Sequence, residues 1–355
     1  MIVYFSVMAI LGVLFTVYNS NLAQTQKTKN AIFFIAWFVL FVVVAFRYDV
    51  GTDYKYYRYN YNYRYADTLW GALTSKEAIG GSLLTWLARI IYDDYATWFV
   101  LAAVVGIIPC SVMVKKYSIA PCMSTILFVV LCCWHTNFNI VMQCTAIGVL
   151  AMGYRFLLER KLLPWCLICA AASVFHVTAL MMIPVYFLVS TNLTWKRIGL
   201  LFLIGVIISL VYDQLFALMQ ILGGESMTED ANSSYGSHQL NILRVLVNCA
   251  PALMATLLLN YYDKSDKNFC LLYYMSLFNA VLNLGTMNSA YLNRFALYTI
   301  YYNVLFIPYL VKPFNRTNRA IIWTVMLTLY GIFWAYDLYK CSDTVVYQWI
   351  FQRGV

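Results

Sequence analysis

Arg47, Gly51, Asp53, Tyr54 and Tyr57 fall within eleven consecutive positions, in the stretch FRYDVGTDYKYYRYNYNYRY that runs from 46 to 65. A guanidinium presents a planar fork of donors that matches phosphate oxygens. A carboxylate can take the proton of a hydroxyl, and a tyrosine face suits a sugar ring. Seven tyrosines lie within 54–65, more than an interfacial belt needs. A second candidate is Phe175-His176-Val177-Thr178, in the middle of an apolar run. An ionisable side chain inside a membrane segment is a functional candidate, and imidazole exchanges its proton near neutral pH. A third is the run from Asn288 to Arg294, with Tyr298 one turn further on, and Arg244 opens another apolar run. Taken singly, each arginine reads as well as a snorkelling side chain. Three guanidiniums at the ends of apolar runs, with an aspartate and a histidine, favour a site.

Other residues carry less. Glu225, Glu229 and Asp230 read as a solvated loop, with no His or Cys at ligand spacing to support a metal. His135 and His238 are single and read as structural. Most of the 10 cysteines lie inside apolar runs, where they act as small hydrophobes. Cys166 and Cys169 have a metal-like spacing but no second pair. The sequons at Asn192, Asn232 and Asn315 are common by chance, and no P-loop, dinucleotide fingerprint or nucleophile elbow occurs.

The elements that must position these residues are membrane helices. Of 355 residues 63% are hydrophobic and 11% charged, against about 25% charged in a soluble domain; mean hydropathy is +0.70. Apolar runs fall at about 2–18, 31–46, 95–114, 123–139, 141–158, 164–190, 198–221, 241–260, 269–286, 291–311 and 320–338. The first has no basic n-region and reads as an uncleaved span rather than a signal peptide. Residues 81–92 are too short to span and read as an interfacial or re-entrant helix. The run 164–190 is either one tilted helix or two half-helices meeting near Phe175-His176. Charge decides: with a turn at His176, Lys27, Lys29, Lys115, Lys116, Arg160, Lys161, Lys196, Arg197, Lys264, Lys267, Lys312, Arg316 and Arg319 all fall on one side. The expectation is one all-α integral membrane domain over 1–355, a polytopic bundle of about 12 spans. His176 and the polar segments 47–80, 222–240, 287–294 and 339–355 then lie on the outer face. The net charge of +9 fits this loop bias, and no basic stripe points to nucleic acid.

Arg47…Gly51-Thr52-Asp53-Tyr54…Tyr57 after the second span, followed by the helix pair around Phe175-His176-Val177-Thr178-Ala179-Leu180, resembles the EpsG/Wzy-type polysaccharide polymerases. Arg294…Tyr298 and the late Tyr347 are also similar. The chain departs from the family at Asn139-Ile-Val-Met142-Gln143, where an arginine is expected before the glutamine. The resemblance implies a GT-C-like, metal-independent glycosyltransferase without a cofactor. It would join undecaprenyl-pyrophosphate-linked repeat units on the periplasmic face of a bacterial inner membrane, with a chain-length regulator as partner. In that scheme Arg47, Arg244 and Arg294 bind pyrophosphate, and Tyr54, Tyr57 and Tyr298 contact sugar. Asp53 is the first candidate for the base and His176 the second. The competing readings are a lipid-linked oligosaccharide flippase and a membrane acyltransferase of glycans. A flippase predicts internal repeats and mid-membrane charges, and an acyltransferase needs its histidine within reach of the inner face.

Overall fold

A computed structural model describes residues 1–75, 78–211, 214, 240–340 and 346–354. The acidic residues Glu225, Glu229 and Asp230, together with His238, lie outside them. Secondary structure among the described residues is helical, with one isolated antiparallel bridge between Arg47 and Trp349. The chain divides into two compact units, Met1–Met181 with Trp334–Val355, and Met182–Phe333.

The first unit is built from α1 (Ile2–Asn19), α2 (Gln26–Ala45), α3 (Tyr54–Tyr63), α4 (Leu69–Leu73), α5 (Ile79–Ile91), α6 (Tyr95–Tyr117), α7 (Pro121–Val130), α8 (Val141–Met152), α9 (Tyr154–Leu158) and α10 (Leu162–Ser173). A 3₁₀ turn, His135–Phe138, precedes α8. Helices α1, α2 and α6 are long and apolar enough to cross a membrane. Their starts are set by local chemistry: Thr25 caps α2 through Thr28 N–H, and Asp94 caps α6 through Ala96 N–H. Helices α6 and α8 approach closely because Gly148 has no side chain; a Cβ there would overlap the Val105 carbonyl oxygen.

The predicted short helix over 81–92 forms as α5. It buries Gly80, Gly81, Leu84, Thr85 and Ala88, and turns Leu87, Ile90 and Ile91 outward. The apolar run 164–190 breaks as expected: α10 ends at Ser173, and a 3₁₀ segment resumes at Val177. The charge pattern also has a structural counterpart in this unit. Lys29 lies over the Tyr18 ring, Lys115 over Phe33, and Tyr117 packs on Tyr154 close to the Arg155–Glu159–Lys161 ion pairs. These basic residues therefore gather at one end, and Arg47 and the tyrosines of α3 at the other.

The second unit contains α11 (Met182–Leu188), α12 (Trp195–Leu210), α13 (Ile242–Leu257), α14 (Lys267–Gly285), α15 (Ala290–Asn293) and α16 (Leu297–Val311). The helix α17 (Arg316–Lys340) is a fourth of spanning length and gives residues to each unit. Asn268 bonds Tyr309 and Tyr262 bonds the Leu310 carbonyl, while Leu240 N–H donates to the Met287 carbonyl. The loops bearing Lys264, Lys267 and Lys312 thus share one end of this unit, and the segments leading to Arg244 and Arg294 share the other. Large apolar side chains such as Phe38, Leu203, Val206, Leu210 and Leu329 stand exposed along the helices. Such surface suits lipid and not water. This is an all-helical membrane protein, with four long apolar helices and several shorter ones among the described residues.

Candidate functional site

The site begins where α2 stops. Phe46 leaves helical geometry, and the next seven residues turn sharply, with left-handed backbone at Asp49 (φ +50°) and Gly51 (φ +98°). Gly51 is required twice over. Its φ disfavours any side chain, and a Cβ would strike the Phe138 carbonyl oxygen. The close approach lets Thr52 N–H donate to Asn139 Oδ1 at 2.9 Å. Asp53 follows at the start of α3, half-buried, accepting the Thr52 hydroxyl at 3.2 Å. Its charge acts on Tyr57, whose hydroxyl proton is held more tightly through burial first and the Asp53 charge second.

Arg47 is 1% exposed and lies among aromatic rings. Its Cζ is 4.7 Å from the Phe99 centroid, 5.4 Å from Phe138 and 6.0 Å from Tyr54. Nη1 donates to the Val44 carbonyl at 2.6 Å, while Nε and Nη2 have no hydrogen-bond partner among the described residues. Burial lowers the Arg47 pKa to about 10, with neighbouring tyrosines acting in the opposite sense, so the group stays cationic at neutral pH. Among the described residues no carboxylate forms an ion pair with it.

Helix α3 forms a layer over this end. Tyr54 stacks on Phe99 at 4.4 Å, and Tyr57 on Trp98 at 5.2 Å. Both are buried, so their faces are already engaged. Tyr56, Tyr59 and Tyr63 alternate with them and stand exposed at 58%, 50% and 76%. Tyr61 donates to Asp93 at 2.6 Å, and Arg89 ties α5 to Asp67 at 3.0 Å. The break after α10 meets the same layer: Gly80 N–H donates to the Val174 carbonyl at 2.9 Å, and Phe175 packs against the buried cluster that includes Tyr54, Tyr57 and Tyr61. His176 Nδ1 lies 2.6 Å from the Thr178 hydroxyl.

A feature missed by the sequence reading closes the site. Residues 346–353 form a strap across the exit of α2. Tyr48 N–H donates to the Gln348 carbonyl and Ile350 N–H to the Phe46 carbonyl, both at 2.8 Å. The Tyr347 hydroxyl donates to the Val43 carbonyl at 2.7 Å, Phe351 stacks on Phe46, and Arg353 pairs with Asp94 at 2.5 Å. Only the resemblance of Tyr347 hinted at it. Beside the strap a cavity of about 450 Å³ is lined by Phe46, Val100, Ile350 and Phe351, with Asp94 and Arg353.

In the second unit Arg244 sits in the first turn of α13, which Asn241 caps, and Arg294 lies 5.3 Å from the Tyr291 centroid. Tyr298 is buried, at the start of the following helix α16. An amide network unforeseen in the sequence supports this end. Asn283 accepts from Asn248 at 3.0 Å and from Asn293 at 3.3 Å, and donates to the Asn279 carbonyl at 2.8 Å. Asn279 in turn donates to Ala296 O and Thr299 Oγ1. The structure therefore brings Arg47, Asp53, Tyr54, Tyr57 and the Phe175–His176 turn to one end of the first unit. It brings Arg244, Arg294 and Tyr298 to one end of the second. His135, read as structural, is a buried partner of Asp337, with Nε2 and Oδ2 3.2 Å apart; 202 residues separate them, and no local pattern could join them.

A model of the EpsG family matches residues 30–350. No curated protein and no solved structure gives a match.

Proposed function

This chain belongs to the EpsG family of polysaccharide polymerase-type membrane proteins, and we propose that it joins undecaprenyl-pyrophosphate-linked repeat units at the periplasmic face of the inner membrane. The acceptor hydroxyl attacks the anomeric carbon of the growing chain. A new glycosidic C–O bond forms as the bond from that carbon to the pyrophosphate oxygen breaks. The hydroxyl proton passes to the Asp53 carboxylate, with His176 the second candidate. Negative charge grows on the departing undecaprenyl pyrophosphate, and Arg47 is the cation assigned to meet it. The acceptor unit carries a pyrophosphate of its own, which we assign to Arg244 and Arg294, with Tyr298 supporting them. On α3 the sugar contacts fall to Tyr56, Tyr59 and Tyr63, while Tyr54 and Tyr57 hold Arg47 and the loop.

One observation carries this reading: Arg47 is buried, cationic and short of acceptors. Each of its three ring contacts contributes about 0.5–2 kcal/mol, against a burial cost of several kcal/mol for a guanidinium. An anion with several oxygens suits the two nitrogens that have no partner. A protein optimised for stability alone would carry an apolar residue there.

The experiment is the chain-length distribution of surface glycan in a strain lacking this protein. Loss of polymerisation leaves single repeat units on the lipid anchor. Accumulation of lipid-linked units on the cytoplasmic side would instead indicate a flippase, and full-length polymer lacking an ester an acyltransferase. Complementation with Arg47→Gln that restored full polymer would remove Arg47 from the mechanism.

A further inference from the structure

Beneath the Arg47 cradle, three side chains of different chemistry converge. Cys132 and His135, with two residues between them, stand in the turn that follows α7, and Asp337 comes from the last turns of α17. All three are buried, and a ligand atom from each lies within 4.8 Å of the others. We propose that Cys132, His135 and Asp337 bind a zinc-class divalent metal ion that clamps the end of α17 to the 131–138 turn.

Four observations carry this. The first is the donor set. Thiolate, imidazole and carboxylate together suit zinc, whereas magnesium and calcium take oxygen ligands. The second is charge. One thiolate and one carboxylate neutralise a divalent cation, so the assembled site carries no net charge into the buried position of its three donors. The third is spacing. Tetrahedral ligands about 2.0 Å from zinc lie about 3.3 Å apart, and His135 Nε2 and Asp337 Oδ2 are 3.2 Å apart. The fourth is backbone. Cys132 has φ +66°, a conformation that costs a non-glycine residue about 1–2 kcal/mol. Its carbonyl is pinned by Thr136 through both N–H at 3.2 Å and Oγ1 at 2.6 Å, which fixes the turn that holds the thiol.

His135 adds a further point. Its Nδ1 is shielded from solvent and has no hydrogen-bond partner among the described residues. Nε2, the nitrogen that faces Asp337, is the one that would hold the ion. The clamp also reaches the functional end. Phe138 lies one 3₁₀ turn beyond His135, and its ring flanks the Arg47 guanidinium at 5.4 Å. The ion is an element of the fold, and the transfer chemistry proposed above does not pass through it.

The test is metal analysis of the full-length protein purified in detergent without a metal-affinity tag. Wild type is expected to retain about one zinc per chain, and Cys132→Ser and Asp337→Asn less than about a tenth of that. If either variant fails to fold, cobalt reconstitution of the wild type gives an independent reading. A Cys–His–Asp site should show thiolate-to-cobalt charge transfer in the near ultraviolet and the strong visible bands of tetrahedral cobalt. Wild-type protein that carries no zinc, gives no such spectrum and melts at the same temperature with or without added zinc would overturn the proposal and leave the polymerase reading untouched.

Discussion

Thr52 N–H and Asn139 Oδ1 are joined by a 2.9 Å hydrogen bond across 87 residues of sequence. The bond fixes the loop that carries Asp53 to the segment opening α8, where the family pattern leads one to expect an arginine. Tyr57 continues the contact, its hydroxyl 3.5 Å from Met142 N. Met142 stands where that arginine is expected, and Asn139, three residues earlier, acts on the loop through geometry. Replacing it by alanine removes one neutral hydrogen bond, worth about 1 kcal/mol. The expected result is a protein that still inserts and melts within a few degrees of wild type, with polymer synthesis down about tenfold.

Gly51→Ala is expected to be far more damaging. Its φ of +98° and its close approach to the Phe138 carbonyl leave no room for a methyl group without moving backbone. The 47–53 loop should lose its register, at a cost of about 2 kcal/mol or more. Lower melting temperature together with loss of polymer is the outcome to look for. A variant that melts like wild type would mean the loop has a second stable path.

At Arg47, stability and function should move in opposite directions. Arg47→Met replaces a buried charge by an apolar chain of similar length, and should leave melting unchanged or raise stability by about 1–4 kcal/mol. Polymer should nonetheless disappear. Arg47→Lys keeps the charge but loses the planar fork and the ring contacts, and transfer is expected to fall about a hundredfold or more. Equal activity of the Arg47→Lys variant and wild type would show that charge alone suffices.

The strap gives a separable prediction. Asp94 caps α6 through Ala96 N–H at 2.8 Å and pairs with Arg353. Arg353→Ala breaks the second contact and leaves the first, while Asp94→Ala breaks both. Protease sensitivity near residues 346–353 should rise in both variants, and the melting temperature should fall only for Asp94→Ala, by the equivalent of about 1 kcal/mol.

The amide network of the second unit can be tested through Asn283→Leu. The substitution removes hydrogen bonds to Asn248, Asn279 and Asn293. Each such bond is worth about 0.6 kcal/mol in a membrane protein, so a total of about 2 kcal/mol is expected, read from thermal or denaturant unfolding in detergent.

How far the sequence went follows from where its signals are local. The helical membrane character, the short helix over 81–92 and the break at Val174–His176 were legible, because hydropathy and charge vary along the chain on the scale of one helix. The cluster of Arg47, Asp53, Tyr54 and Tyr57 was legible because it spans a single loop and the helix after it. Burial was not. Alternation of Tyr54 and Tyr57 with Tyr56, Tyr59 and Tyr63 sorts the tyrosines into engaged and exposed sets only once α3 is seen lying on Trp98 and Phe99. The pairing of His135 with Asp337, the amides converging on Asn283 and the strap over Phe46 all join residues distant in sequence, or identical in type to ordinary membrane residues. No window on the chain contains both partners.

The strap sets an order of assembly. Synthesis runs from the amino end, so α2 and Arg47 are made and inserted about 300 residues before their cover, the segment near Trp349, leaves the ribosome. Until then the carbonyls of Val43 and Phe46 and the Tyr48 N–H must find water or lipid headgroups as partners. A ribosome that stops short of residue 346 would therefore release a chain with its helices in the bilayer and its functional end uncovered. Maturation of this protein is in that sense late, decided by a segment that arrives long after the loop it seals.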